Sequence, residues 1–219
     1  MQERIIVFGA HPDDGEIGAG GTIAAYTRRG HRVVLVNFRV PAGNGDLSEE
    51  ERRRRHVEAE QAVRTLGAEL ISLGLRRDAI QPTADLVGTI DDLLADVKPT
   101  AVYTHWLGDS HPEHIGLSRA VLAGTRHNLC SVYMYEATLP GGITGHSFRA
   151  QKFVDISDTI DAKIQSLATY ETQLDRYGQG WLEAVRGRAA HRGFQMGTRY
   201  AEAFQVVKEI IPIWDARGV

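Results

Sequence analysis

A single cysteine, Cys130, in 219 residues rules out an internal disulfide and argues against a structural zinc site, which is usually cysteine-rich. No apolar run approaches the roughly 20 residues a membrane span needs. Asp13, Asp14 and Glu16 break up the region where a signal peptide would carry its apolar core. Basic excess is missing too: 25 Lys and Arg stand against 28 Asp and Glu, a net charge of -3. That balance supplies no field for nucleic acid or an anionic membrane surface. The expectation is a soluble protein of a reducing cytoplasm. With 42% hydrophobic residues, the chain has enough for one cored domain spanning 1–219.

Apolar segments rich in Val, Ile and Phe recur at 5–8, 33–38, 70–73 and 101–103, with later ones at 132–135 and 153–156. Helical patterns separate them. At 85–97, for example, Leu86, Ile90, Leu93, Leu94 and Val97 keep helical spacing between Pro82 and Pro99. Strands alternating with helices predict an α/β fold: a single Rossmann-like three-layer domain, with a mostly parallel sheet and helices on both faces. The C-terminal third reads as more irregular. In the charge run at 49–55, Glu49, Glu50 and Glu51 precede Arg53, Arg54 and Arg55 by four residues, so it largely neutralises itself, and Ser48 with Glu51 forms a capping box. Arg55 stands apart because it aligns with Ala59, Ala62 and Leu66 on the inward side, where a guanidinium calls for a ligand or for Glu58 one turn on.

The chemistry concentrates in two clusters. The first strand runs into Gly9-Ala10-His11-Pro12-Asp13-Asp14-Gly15-Glu16, followed by a helix expected from about Ile17 to Gly30. The strand at 101–103 leads to Asp109-Ser110-His111-Pro112-Glu113-His114 and a helix expected over 114–127. Both clusters fall at the carboxyl ends of strands, where open α/β sheets bind ligands. Four ionisable side chains in six residues are costly to desolvate, and a divalent cation compensates them directly. One His and one Asp from the first cluster with one His from the second make a mixed nitrogen and oxygen site with room for water, the donor set of a catalytic zinc. The plainer reading makes Asp13 or Asp14 a helix cap and Ser110 with Glu113 a capping box. His31, His56, His105, His127, His146 and His191 lack comparable neighbours and read as ordinary.

Ala10-His11-Pro12-Asp13-Asp14 and His111-Pro112-Glu113-His114 resemble the Ala-His-Pro-Asp-Asp and His-Pro-Asp-His motifs of the LmbE/PIG-L family of zinc de-N-acetylases. The similarity extends through Gly20-Gly21-Thr22-Ile23-Ala24, Leu66-Gly67-Ala68, Val154-Asp155-Ile156-Ser157-Asp158 and Tyr200-Ala201-Glu202-Ala203-Phe204. The resemblance implies that His11, Asp14 and His114 hold the metal, Zn2+ or another divalent ion such as Fe2+. It makes Asp13 the general base and His111 the group that stabilises the oxyanion. Glu113, standing where the family has Asp, would hydrogen-bond His111 and raise its pKa. Arg55 and Glu58 match an Arg-x-x-Glu element whose arginine contacts substrate, whereas Pro41 replaces an expected substrate-binding glutamate. The turn-rich segment 138–150 reads as a flap that would bring Arg149 to the substrate, or as a surface connection with a solvated arginine.

The activity so implied is hydrolytic removal of an acetyl group from an N-acetylated amino sugar or related small molecule. The alternatives are a deacylase of a non-sugar metabolite and a non-catalytic metal- or ligand-binding relative. Homo-oligomers are frequent among bacterial relatives. A dinucleotide site at Gly18-Ala19-Gly20-Gly21 fits poorly, because acidic residues occupy the turn where a pyrophosphate would sit.

Overall fold

The computed structural model describes residues 2–39, 48–136 and 147–211. Seven strands are present among them: β1 (Arg4–Gly9), β2 (Arg32–Asn37), β3 (Glu69–Ser72), β4 (Ala101–His105), β5 (Ser131–Tyr135), β6 (Lys152–Asp155) and β7 (Ala201–Lys208). They form one sheet in the order β3-β2-β1-β4-β5-β7-β6. The first five pair in parallel, while β7 runs antiparallel to both β5 and β6.

Alternation along the strands supplies both faces of the sheet. Ile6, Phe8, Val34, Val36, Val102 and Val132 pack against α3 (Ala84–Val97) and α4 (Pro112–Gly124). Ile5, Val7, Val33, Leu35, Tyr103 and Tyr133 face α1 (Asp14–Arg28), α2 (Glu49–Thr65) and α5 (Ile160–Ala168). The strands are apolar on both sides, as a covered parallel sheet requires. The expected three layers are therefore present. Among the described residues no helix is long and apolar enough to cross a membrane.

Several boundaries differ from the sequence reading. Helix α1 begins at Asp14, three residues earlier than expected, and α4 begins at Pro112, followed by a short 3-10 turn at Thr125–His127. Proline at the first helical position fits because its missing N–H would be unpaired there. The C-terminal third is not irregular. It contains α5, α6 (Glu171–Tyr177), α7 (Gly180–Met196) and the eight-residue β7. Helix α7 buries only Val185, Ala189 and Gly193 in its own length, a stripe of small residues without a strong apolar period.

β1 lies between β2 and β4, so the chain runs outward from it in both directions. This is the switch point of the sheet, where the loops after β1 and β4 diverge and leave a crevice. Both motif clusters leave the sheet there. Helix α1 approaches the sheet closely because Gly18 lies under the Tyr135 ring. A Cβ at Gly18 would fall 2.2 Å from a ring carbon, and the Tyr135 hydroxyl donates to the Phe8 carbonyl at 2.6 Å.

Candidate active site

Asp13 adopts φ 92°, in the left-handed region that a non-glycine residue rarely occupies, at the N-terminal boundary of α1. Its side chain makes no cap hydrogen bond. Strain of this kind persists where surrounding structure imposes it, and it collects at functional sites. The simple capping account of Asp13 therefore fails. The Ser110–Glu113 box fails as well: the residue before α4 is His111, which makes no side-chain cap, and the Glu113 carboxylate turns elsewhere.

His11, Asp14 and His114 converge. His11 Nδ1 lies 3.2 Å from His114 Nε2, His11 Nδ1 lies 3.3 Å from Asp14 Oδ2, and His114 Nε2 lies 3.3 Å from Asp14 Oδ1. Carboxylates behind each ring set the tautomers. His11 Nε2 donates to Glu113 Oε2 at 2.9 Å, and His114 Nδ1 donates to Asp109 Oδ2 at 3.0 Å. Each imidazole thus has its other nitrogen, the one that can offer a lone pair, facing the shared space. Two lone pairs and a carboxylate directed at one point repel one another unless a positive charge lies between them. Zinc bonds of about 2.0–2.1 Å in a tetrahedral arrangement put neighbouring donors about 3.3 Å apart. The donor set fits a divalent cation.

Besides this triad, two overlapping sets of three donors among the described residues lie close enough to hold an ion: His11 with His111 and His114, and Asp14 with His105 and His114. The Ala10 N–H occupies His105 Nε2 at 3.0 Å, which withdraws that lone pair from ligation. His105 is nevertheless part of the site. It is fully buried, lies 3.3 Å from Asp14 Oδ2 and stacks on His114 with ring centroids 3.9 Å apart. Burial and the neighbouring His114 charge push it down to about 4.

The other pKa values follow from the same crowding. Burial acts against charge on His11 and His114, but the carboxylates around them outweigh it. With no cation between them, these carboxylates favour a proton on the inward-facing nitrogens instead: His11 rises to about 9 through Asp14 and Glu113, and His114 to about 10 through Asp14 and Asp109, so proton and metal compete for the same lone pairs. The two adjacent aspartates are driven apart. Burial and the charges of Asp14 and Glu16 hold Asp13 well above the carboxylate range. Burial acts on Asp14 too, but the charges of His114 and His105 overcome it and hold Asp14 well below that range. Burial is likewise overcome at Asp109, held down to about 2 by His114 and the His111 N–H.

Glu113 requires a correction. It does not bond His111 but turns to His11, Arg39 and Arg77; Arg39 Nη1 donates to both of its oxygens at 3.0 and 3.1 Å. The longer side chain passes His111 and reaches His11. Accordingly, the His111 pKa is lowered rather than raised, by burial first and then by His114 and His11. His111 Nδ1 is buried without a hydrogen-bond partner among the described residues.

The expected substrate contacts lie on other elements. Arg55 is half-buried on α2, and the Glu58 carboxylate is engaged by Thr172 and Arg54. Arg149 is exposed ahead of β6. Pro41, His146 and residues 138–146 of the segment 138–150 expected to form a flap lie outside the described residues. His105, read from sequence as ordinary, belongs to the site, as do Arg39 and Arg77, which were not singled out; Asp109 was placed in the second cluster but given no role. Asp109 had a signal, since it lies five residues before His114, and His105 ends the same strand that leads to the second cluster.

Three similarities bear on this geometry. The chain is 27% identical over 231 residues to the diacetylchitobiose deacetylase of Thermococcus kodakarensis, covering 95% of this chain and 84% of that one. Its fold matches the conserved protein TT1542 of Thermus thermophilus with a TM-score of 0.80 at 23% identity, covering 97% and 98% of the two chains. It also matches the 4-carboxy-2-hydroxymuconate hydratase GalB of Pseudomonas putida with a TM-score of 0.78 at 20% identity, covering 96% and 98%. The fold therefore accommodates more than one reaction, and the family is decided by sequence. Residues 6–124, more than half of the chain and spanning both motif clusters, match PIG-L, described as GlcNAc-PI de-N-acetylase, and the chain belongs to that family.

Proposed function

We propose that this protein is a metal-dependent hydrolase that removes the acetyl group from an N-acetylated amino sugar or a closely related small molecule. The observation that carries the reading is the convergence of His11 Nδ1, His114 Nε2 and Asp14 within 3.2–3.3 Å, with both tautomers fixed by carboxylates. Family membership and the deacetylase relative supply the reaction class.

His11, Asp14 and His114 would hold the ion, taken as zinc on the nitrogen and oxygen donor set. Such an ion lowers the pKa of a water and draws electron density from an amide carbonyl. Asp13 takes a proton from the attacking water at its carboxylate. The water oxygen bonds to the carbonyl carbon, the C–N bond breaks, and the proton on Asp13 goes to the leaving nitrogen, giving a free amine and acetic acid, which ionises to acetate in water. His111, even when neutral, has one N–H to give the oxygen that gains negative charge. Glu113 acts through His11, orienting it rather than touching substrate. Arg55 and Arg149 are assigned to more distant parts of the substrate.

The test is release of primary amine, read with fluorescamine, from a panel of N-acetylglucosamine derivatives. Protein loaded with zinc is compared with protein stripped by a chelator. Amine release that disappears on stripping and returns with metal supports the reading. Release that is indifferent to metal would sink it.

A further inference from the structure

Asp13 is the N-cap residue of α1, yet its carboxylate takes no part in the hydrogen bonding of the helix. Its carbonyl opens the helix, accepting from the Ile17 N–H at 2.8 Å, while its φ of 92° departs from the extended conformation usual at an N-cap. Glu16 stands at the third position of α1, from which a capping-box glutamate reaches back to the N–H of the N-cap residue. It is fully buried, and the Tyr170 hydroxyl donates to its Oε1 at 2.6 Å. Burial pushes the Glu16 carboxyl up to about 7, and the Tyr170 hydroxyl, its own N–H and the N–H of Asp13 draw it back. Only the half of a capping box that holds the backbone of Asp13 is therefore built. Tyr170 is fixed in turn. Its ring is buried among Ile17, Ala59, Ala62, Leu167 and Val185, and its carbonyl accepts from the Gln173 and Leu174 N–H groups at 3.0 Å. Just ahead of it, Ser166 Oγ donates to the Ala62 carbonyl at 2.9 Å and Thr169 Oγ to the Glu58 carbonyl at 3.2 Å, which ties α5 to α2.

We propose that Glu16 and Tyr170 are positioning residues for Asp13: the buried pair holds its left-handed backbone, so that the carboxylate is presented to the site instead of capping α1. The inference rests on the hydrolase reading, with Asp13 as the base, and deepens it. A non-glycine residue stays in the left-handed region only where its surroundings over-determine it. Beyond burial, the charges acting on the Asp13 carboxyl are those of Asp14, Glu16, His11 and His114, which places it beside the donor triad. Asp14 is anchored separately, its Oδ2 accepting from the His11 N–H at 2.7 Å, so the donor side of the motif does not depend on Tyr170. Tyr170 belongs to the connection between α5 and α6, beyond the matched residues 6–124. A base must sit within hydrogen-bond reach of the proton it takes, and a displacement of about 1 Å can cost about a hundredfold in rate.

The experiment measures kcat, KM and bound zinc for the zinc-loaded protein and its Tyr170→Phe, Glu16→Gln and Tyr177→Phe variants, with and without Asp13→Asn. The substrate is the member of the N-acetylglucosamine panel that the parent hydrolyses fastest. Tyr170→Phe should keep its zinc and its KM while kcat falls about 10–100-fold. Glu16→Gln, which still offers an oxygen to Tyr170, should keep more of the rate. Tyr177→Phe, at an exposed position ending α6, should keep all of it. In the Asp13→Asn background Tyr170→Phe should cost nothing further, because the group it positions is already gone, whereas a merely structural loss would recur there. Unchanged kcat in Tyr170→Phe, or the same loss with and without Asp13→Asn, overturns the inference. Crystal structures of the parent and of Tyr170→Phe give a readout independent of turnover: φ of Asp13 is expected to be positive in the parent and to relax to negative values in the variant. If no panel member is hydrolysed, the deacetylase reading fails and this comparison decides. A relaxed Asp13 upholds the clamp, and an Asp13 unmoved in Tyr170→Phe overturns it.

Discussion

Asp13 and Asp14 are chemically identical neighbours, and the fold assigns them opposite properties. Against burial, His114 and His105 hold Asp14 ionised, while burial beside Asp14 and Glu16 raises Asp13. One carboxylate is suited to bind a cation and the other to accept a proton. Asp13→Asn should retain the metal while hydrolysis falls by about two to four orders of magnitude, the usual worth of acid-base catalysis. Elemental analysis beside steady-state rates checks this, and undiminished turnover would remove Asp13 from the mechanism. Glu113→Gln tests the layer behind the ligands. The amide keeps the shape but loses the charge that faces His11, Arg39 and Arg77. Metal affinity should fall about 10–100-fold, as when second-layer partners of ligating histidines are changed. Titration against a chelating dye reads it directly. The convergence of His11, Asp14 and His114 was legible in sequence because their motifs are contiguous. The partner of Glu113 was not, because a side chain one methylene longer than aspartate selects between His111 and His11 only in three dimensions.

At the scale of elements, the parallel half of the sheet could be read from its apolar runs, and the Ser48–Glu51 capping box forms as expected, with Ser48 Oγ accepting from the Glu51 N–H. Of the C-terminal elements, β6 was anticipated by the apolar segment at 153–156, but β7 and the helices before it were not. In β7 the apolar pattern is interrupted by the buried Glu202, whose carboxylate accepts from the Gly21 and Thr22 N–H groups and from Lys163. A charge inside a strand reads as a break until its partners on α1 and α5 are known. Glycines distinguish packing from tolerance. Gly18→Ala drives a methyl into the Tyr135 ring and should cost about 1–3 kcal/mol, as overpacking does. Gly187→Ala in α7 meets nothing within 4 Å among the described residues and should stabilise by up to about 1 kcal/mol through helix propensity. Denaturant titration of the two variants gives opposite signs if the α1–β5 contact is as described. Equal effects would contradict it.

For the whole molecule, the sheet order places β1 between β2 and β4 and brings two clusters a hundred residues apart in sequence into a shared crevice. Position at strand ends pointed to this before any contact was known, because parallel sheets present the carboxyl ends of their strands on one side. Arg39 and Arg77, which engage Glu113 from beyond β2 and β3, have no motif around them and were not legible in this way. The central claim is that His11, Asp14 and His114 hold one catalytic cation. Its most direct test is elemental analysis of the purified chain beside His114→Ala, with free amine measured from an N-acetylglucosamine panel. About one metal per chain, lost together with amine release in the variant, is the result expected of a three-donor site with an open position. A variant that retains full metal and full activity, or a parent chain that takes up no metal under any loading condition, would contradict the account.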